Sequence, residues 1–288
     1  MDTGFLKLNN AGSAPMTSLP CPPFAEFRKM LIDAVRTRGW HVASFFAMPK
    51  EEDRTRLIAV LTDDASACLR LLSSYVSGSY AALTPECAQF HWFEREIFEQ
   101  TGIIPEGHPW LKPIRFTDPE AKPGVTDYFH LHGSAAHEVA VGPVHAGVIE
   151  PGHFRFQCMG EDVYTLEISL GYQHRGIEKM LRGGPDKKTL HVMETVAGDT
   201  STASAGAYCR ILEALDPESR VSARSEAIRA IAWELERIAN HIGDLGALAG
   251  DVAYLPTASY CGRIRGEFLN MTATICGNRF GRGLIVPG

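Results

Sequence analysis

Three stretches, Glu138-Val139-Ala140-Val141-Gly142, His153-Phe154-Arg155-Phe156-Gln157 and Val163-Tyr164-Thr165-Leu166-Glu167-Ile168, alternate apolar with polar residues, and the chain after them does not. Period-two alternation puts one class of side chain on each face of a strand, so these stretches predict a small sheet. From Gly176 onward the pattern is helical. The clearest run is Ser222 to Leu248, where Ile228, Ile231, Leu235, Ile238, Ile242 and Leu245 recur every three or four residues. Glu226, Arg229, Glu236 and Arg237 lie largely on its other faces, and Ser222 is placed to cap its start. Glu267–Cys276 predicts a further short helix.

Upstream, residues 24–110 read as a small α/β domain. Phe24–Thr37 has helical spacing, with Phe27, Met30, Leu31 and Val35 on one face. His41–Met48 and Arg56–Leu61 are apolar runs around the charged turn Lys50–Asp53, as in a hairpin. Ala65–Tyr75 is again helical in spacing. Phe93–Thr101 predicts a short helix closed by Gly102. Residues 1–22, rich in Pro, Ser, Asn and Gly, read as a flexible leader, and the proline-bearing stretch 111–137 as a linker. The expected class is α+β: a small α/β domain at 24–110, then a small sheet and a helical bundle at 138–288.

The length of 288 residues exceeds that of one ordinary domain. With 28 Lys+Arg against 34 Asp+Glu and no basic tract, binding to a nucleic-acid backbone is excluded. The longest stretch without charge, Leu8–Ala25, holds Asn9, Asn10 and four prolines, so it cannot cross a membrane. No secretion signal begins the chain, so a cytoplasmic location is expected. The 7 cysteines are odd in number and none are spaced C-x-x-C, which disfavours a disulfide framework and a zinc ribbon. No G-x-G-x-x-G follows a strand, so the chain carries no dinucleotide fingerprint of its own. Five of the 11 histidines (His130, His132, His137, His145, His153) fall close together. None has a Cys or Asp at ligand spacing, and no metal site is expected.

Two signatures carry more. The first is Glu94-Arg95-Glu96-Ile97-Phe98-Glu99-Gln100-Thr101-Gly102-Ile103, followed by Gly107-His108-Pro109 and Ile114. By itself it fits a charged helix with an Arg95–Glu99 pair and a glycine cap. As a string it resembles the E-R-E-x-x-[DE]-x-x-G-I…H-P signature of the C component of NADH:quinone oxidoreductase (complex I). The second comprises Gly142-Pro143-Val144-His145, Glu150-Pro151-Gly152-His153-Phe154-Arg155 and Gly171-Tyr172-Gln173-His174-Arg175-Gly176-Ile177-Glu178-Lys179. It is similar to the G-P-x-H, E-P-G-H-F-R and G-Y-x-H-R-G-x-E-K strings of the complex I D component and of energy-converting nickel-iron hydrogenase large subunits. Glu234-Leu235-Glu236-Arg237-Ile238 and His241 resemble the E-L-E-R-I-x-x-H helix of the same families. C-like then D-like in one chain is the order of a fused large subunit of the formate-hydrogenlyase type.

The resemblance implies a subunit of a membrane-associated, hydrogenase- or complex I-related electron-transfer assembly. A protein of this kind docks an iron–sulfur small subunit and membrane-arm subunits, has no membrane span of its own, and sits peripherally on the cytoplasmic side. The resemblance names His145, Glu150, His153, His174, Arg175 and Glu178 as cavity- or cluster-facing residues. A nickel–iron centre needs thiolates. The first C-x-x-C pair of the family falls at Ala197 and Thr200, so no such centre is expected in this chain. The family continues beyond the position matching Gly288, so the second domain reads as incomplete. Of the two histidines tied to quinone in the complex I D component, His145 matches the first. The second falls near Pro151, with His153 displaced from it, and the associated tyrosine falls near Gly198. No complete active site is visible. A quinone-lining role and a non-catalytic scaffold that has lost the nickel–iron site are both open. At His174-Arg175-Gly176 the residues alone fit a helix start equally well.

Overall fold

The computed structural model describes residues 4–288 except 51, 117, 119, 121, 123–125 and 147–149. The chain divides into two compact units, residues 1–175 and 176–288. The class is α+β, as expected. The sheet at 136–169 belongs to the first unit.

In the first unit an antiparallel sheet runs in the order β1 (Leu6–Asn9), β4 (Cys68–Val76), β3 (Thr55–Asp63), β2 (His41–Ala47). Helices α1 (Phe24–Arg38) and α2 (His91–Thr101) close a core of Phe27, Leu31, Phe45, Leu57, Leu61, Leu72, Phe90 and Ile97. A short parallel pair, β5 (Ser79–Ala81) with β6 (Ile104–Glu106), flanks α2. A second antiparallel sheet comprises β7 (Ala136–Val141), β8 (His153–Met159) and β9 (Asp162–Ser169).

In the first unit the fold corrects two expectations. Ala65–Tyr75 is not a helix. The Asp63 carboxylate caps a single turn at 64–66, Ala67 turns with φ 49°, and β4 follows. β4 lies between β1 and β3 with Leu72, Ser73 and Ser74 all buried. A strand covered on both faces shows no period-two alternation, and its leucines mimic helical spacing. Nor is 1–22 a free leader. Leu6–Asn9 pairs with Cys68–Leu71, and Phe5 and Leu19 are buried. The Ser73 and Ser74 hydroxyls donate to the carbonyls of Pro20 and Pro22 at 3.0 and 2.8 Å. Proline lacks an N–H but keeps its acceptor, so a proline-rich segment can be held from the sheet side.

The second unit is helical: α3 (Ile177–Met180), α4 (Thr189–Met193), α5 (Ser201–Leu215), α6 (Ala223–Asp251) and α7 (Leu255–Cys276). Ser222 caps α6 as expected, accepting from Ser225 N–H. α7 begins well before Glu267. Pro256 sits in its first turn, where the missing N–H costs nothing, while Gly262 and Gly266 weaken the sequence signal. The apolar stripe of α6 is not its buried face. Arg229, Ala232, Ala239 and Ala249 are buried, whereas Ile231, Leu245 and Leu248 are exposed. No helix among the described residues is long and apolar enough to cross a membrane.

Candidate functional site

The first signature is a fastening. Glu94 is fully buried on α2. Its carboxylate accepts the backbone N–H groups of Leu83 and Thr84 at 2.8 and 2.9 Å and the Thr84 hydroxyl at 2.5 Å. Burial pushes this carboxyl up, against the hydrogen bonds that hold it down. Arg95 is also buried, which corrects the reading of a solvated charged helix. Its guanidinium donates to the carbonyls of Lys112 and Pro113 at 2.7 and 2.9 Å and lies 4.6 and 4.5 Å from the ring centres of Trp92 and Trp110. Burial pulls it down to about 10. Glu96 pairs with Arg115 at 2.7 Å, and Glu99 accepts the N–H groups of Ile114 and Arg115. His108 accepts from Trp110 N–H on Nδ1, which leaves Nε2–H to donate to the His91 carbonyl. Gly102, at φ 74°, ends the helix. The charges of this motif are thus bound to residues 83–84 and 112–115.

The second signature contributes the polar face of β7–β9. His153 is the only buried residue among the six candidates. Arg155 Nε donates to His153 Nε2 at 3.2 Å, so the proton resides on Nδ1, which donates to the Gly142 carbonyl at 3.1 Å. Both ring nitrogens are therefore engaged, and His153 does not fit a direct donor to a quinone carbonyl. It holds the turn that begins at Gly142. That turn requires glycine: φ is +79°, and a Cβ would stand 2.0 Å from the Gly152 carbonyl oxygen. Arg155 also reaches Glu138 at 2.7 Å, and Glu138 meets His130. The Gln157 amide, Arg155 and His130 hold the Glu138 carboxyl down to about 2. Tyr128 lies over both Arg155 and His153. On β9, Glu167 accepts from Trp110 Nε1, Lys112 Nζ and Phe129 N–H at 3.0, 2.6 and 2.8 Å.

His145 and Glu150 are exposed, and residues 147–149 between them lie outside the described residues. His174 and Arg175 are exposed at the end of the first unit, and Glu178 belongs to the first turn of α3. Of the residues that do assemble around His153, Arg155 stands in the second signature and His130 in the histidine group, while Glu138 reads only as a strand residue and Tyr128 is not singled out by the sequence. Alternation alone places Arg155 on the same face as His153, a usable signal. Tyr172 belongs to the second signature without being one of the six candidates; burial and the nearby Tyr128 push its phenol up.

In the second unit, Ala197 and Thr200 sit in the turn that starts α5. Thr200 is its N-cap residue. The first N–H groups of α5, from Thr202 and Ala203, are taken by the Glu236 carboxylate at 2.7 and 3.0 Å. Glu236 is therefore a helix cap rather than a solvated side chain, while Glu234 and Arg237 form an exposed pair and His241 is exposed. Alanine offers no ligand atom and Thr200 no thiolate, so this turn does not fit a nickel–iron ligand pair. Among the described residues no group of three His, Cys, Asp or Glu is placed to hold a metal.

Residues 26–128 match the family described as the respiratory-chain NADH dehydrogenase 30 kDa subunit. Over 281 residues, 88% of this chain and 48% of the relative, the chain is 29% identical to hydrogenase-4 component G of Escherichia coli K12. It is 29% identical over 233 residues to formate hydrogenlyase subunit 5 of the same organism, covering 73% of this chain and 41% of the relative. It is also 29% identical over 224 residues to the C/D fusion protein of NADH-quinone oxidoreductase from Bacteroides thetaiotaomicron, covering 65% and 42%. The chain spans about half the length, or less, of these relatives. By its match to the 30 kDa family and by these relatives, the chain resembles the fused proteins in which a complex I C-like part precedes a D-like or hydrogenase large-subunit-like part.

Proposed function

We propose that this chain is a subunit of a membrane-associated oxidoreductase complex of the complex I and energy-converting hydrogenase type. The carrying observation is that similarity to hydrogenase-4 component G covers 88% of the chain and so extends into both units, with the 30 kDa family match confined to residues 26–128. In this reading the chain docks an iron–sulfur small subunit and membrane-arm subunits on the cytoplasmic side of the membrane. The exposed His145, Glu150, His174 and Arg175 of the first unit offer polar groups toward a partner's cluster or a quinone-like molecule. His153 acts by positioning the Gly142 turn. Electrons reach the complex through partner-borne cofactors, because residues 197 and 200 cannot ligate nickel.

A tagged chain purified from its native cells should bring down iron–sulfur and membrane subunits in fixed ratio and carry a redox activity. Recovery of a monomer without partners would end this reading. A second reading, a scaffold without catalysis, is favoured by Ala197 and Thr200. An assembled complex lacking redox activity would select it. Stoichiometric nickel bound by this chain would refute the scaffold.

A further inference from the structure

Two histidines join helix α2 to the segment 108–115 that runs beside it. His91 opens the helix, and its ring stacks on that of His108 at 5.0 Å between centres and lies parallel to Trp110 at 6.0 Å. The hydrogen bonds fix where the protons sit. Arg95 Nη1 meets His91 Nε2 at 3.3 Å. A guanidinium only donates, so His91 Nε2 carries no proton and accepts. On His108, Nδ1 accepts the Trp110 N–H at 3.1 Å and Nε2–H donates to the His91 carbonyl at 3.3 Å. Each ring thus keeps one nitrogen bare because a donor that cannot turn acceptor faces it. The closed arrangement requires both imidazoles to be neutral.

A proton added to either ring removes an acceptor and sets N–H against N–H. On His91 it also places a cation against the Arg95 guanidinium, and charging both rings sets two like charges in a stack. The nearby carboxylates are engaged elsewhere. Glu96 pairs with Arg115, Glu99 accepts the N–H groups of Ile114 and Arg115, and Glu167 on β9 accepts from Trp110 and Lys112. On the other strands beside α2, Glu106 of β6 bonds the Ser79 hydroxyl and His41 of β2 pairs with Asp64. Burial foremost, with the Arg95 charge adding to it, holds both rings below the ordinary histidine value, against the His91 carbonyl that favours a proton on His108. Both rings are half-buried, so solvent protons reach them. The segment they hold supplies the carbonyls that receive Arg95 and the Trp110 and Lys112 groups that fasten Glu167. We infer that His91 and His108 form an acid-released latch: mild acid frees segment 108–115 from α2 and loosens its hold on the β7–β9 sheet, while the core around Phe27, Leu61 and Leu72 stays closed. The latch lies within the first unit and does not depend on the subunit assignment.

Hydrogen exchange of the full chain between pH 7 and 5, corrected for the intrinsic rate at each pH, tests it. As pH falls from the ordinary histidine value of 6.5 through the lowered ones, each proton taken up raises the opening constant by up to about tenfold per pH unit. Amides of 110–115 should therefore lose protection by about tenfold or more over this range, with α1 and β3 unchanged. His91→Gln together with His108→Asn puts an amide oxygen where each bare nitrogen stands. That chain should keep its protection within about twofold over the same range. NMR titration of His91 and His108 in the parent, which needs no variant, should show both protonating over the range in which the segment opens. Protection of 110–115 that is unchanged at pH 5, that is lost together with α1 and β3, or that is lost equally in the folded double variant would overturn the latch. So would protonation of both rings without opening.

Discussion

Helix α2 and the start of α5 both carry conspicuous polar residues, and they use them in opposite ways. On α2, Glu94, Arg95, Glu96 and Glu99 each close on residues 83–84 or 112–115. Beside the start of α5, Glu236 spends both carboxylate oxygens on N–H groups of that helix, while the Thr202 hydroxyl and Arg265 Nε are buried without partners. A buried charge with a complete hydrogen-bond set fixes a loop, because nothing remains for a ligand to satisfy. The complete hydrogen-bond sets of Glu94 and Arg95 therefore mark the α2 motif as a fastening.

Four experiments put that contrast at risk. Glu94→Ala leaves two backbone donors and a hydroxyl buried without an acceptor, so unfolding in urea should show a loss of about 3 kcal/mol or more. A loss below about 1 kcal/mol would mean that the loop at 83–84 re-forms its bonds elsewhere. Glu236→Ala removes only a helix cap and should cost about 1 kcal/mol in the same assay, with α5 losing protection from hydrogen exchange at its first turn.

Acid sensitivity comes next. The Glu138 carboxyl is held down to about 2 from an ordinary 4.5. Its contribution is therefore complete above the ordinary value and is lost as pH falls from about 4.5 toward 2. Glu94, raised by burial, has the opposite sign: its contribution is complete below the ordinary value and declines as pH rises through the raised one. Stability measured against pH should thus fall less steeply below pH 4.5 in Glu138→Gln than in the parent; an unchanged slope would mean that the Arg155–Glu138–His130 group does not hold the folded state against acid. The smallest effect is expected for Arg279→Gln, which should alter stability by no more than about 0.5 kcal/mol because the side chain is exposed and makes no ion pair among the described residues. A large loss there would make Arg279 structural.

Much of the fold could be read in advance where one face of an element is solvated. The α1 spacing, the β2–β3 hairpin, the Gly102 terminus of α2, the alternating strands β7–β9 and the Ser222 cap of α6 all follow from local chemistry. β4 could not be read so, because two neighbouring strands and the proline-rich segment cover it. The candidate site was less legible. His153 was visible as a histidine in a motif, but its use depends on Arg155 and on the Gly142 carbonyl across the turn. Arg95 looked like half of a helical ion pair, and only the fold brings the carbonyls of Lys112 and Pro113 to it.

Residue type and spacing alone settle the α+β class, the two signatures, their order and the absence of thiolates at 197 and 200. These are one-dimensional properties, and no folding is needed to read them. Which charges are finished and which are not is settled only once the chain has folded. Asp199 and Arg265 stand 66 residues apart, and Glu236 reaches Thr202 across 34. Hydrogen bonding acts over about 3 Å, so whether a polar group is satisfied is set by what the fold brings beside it.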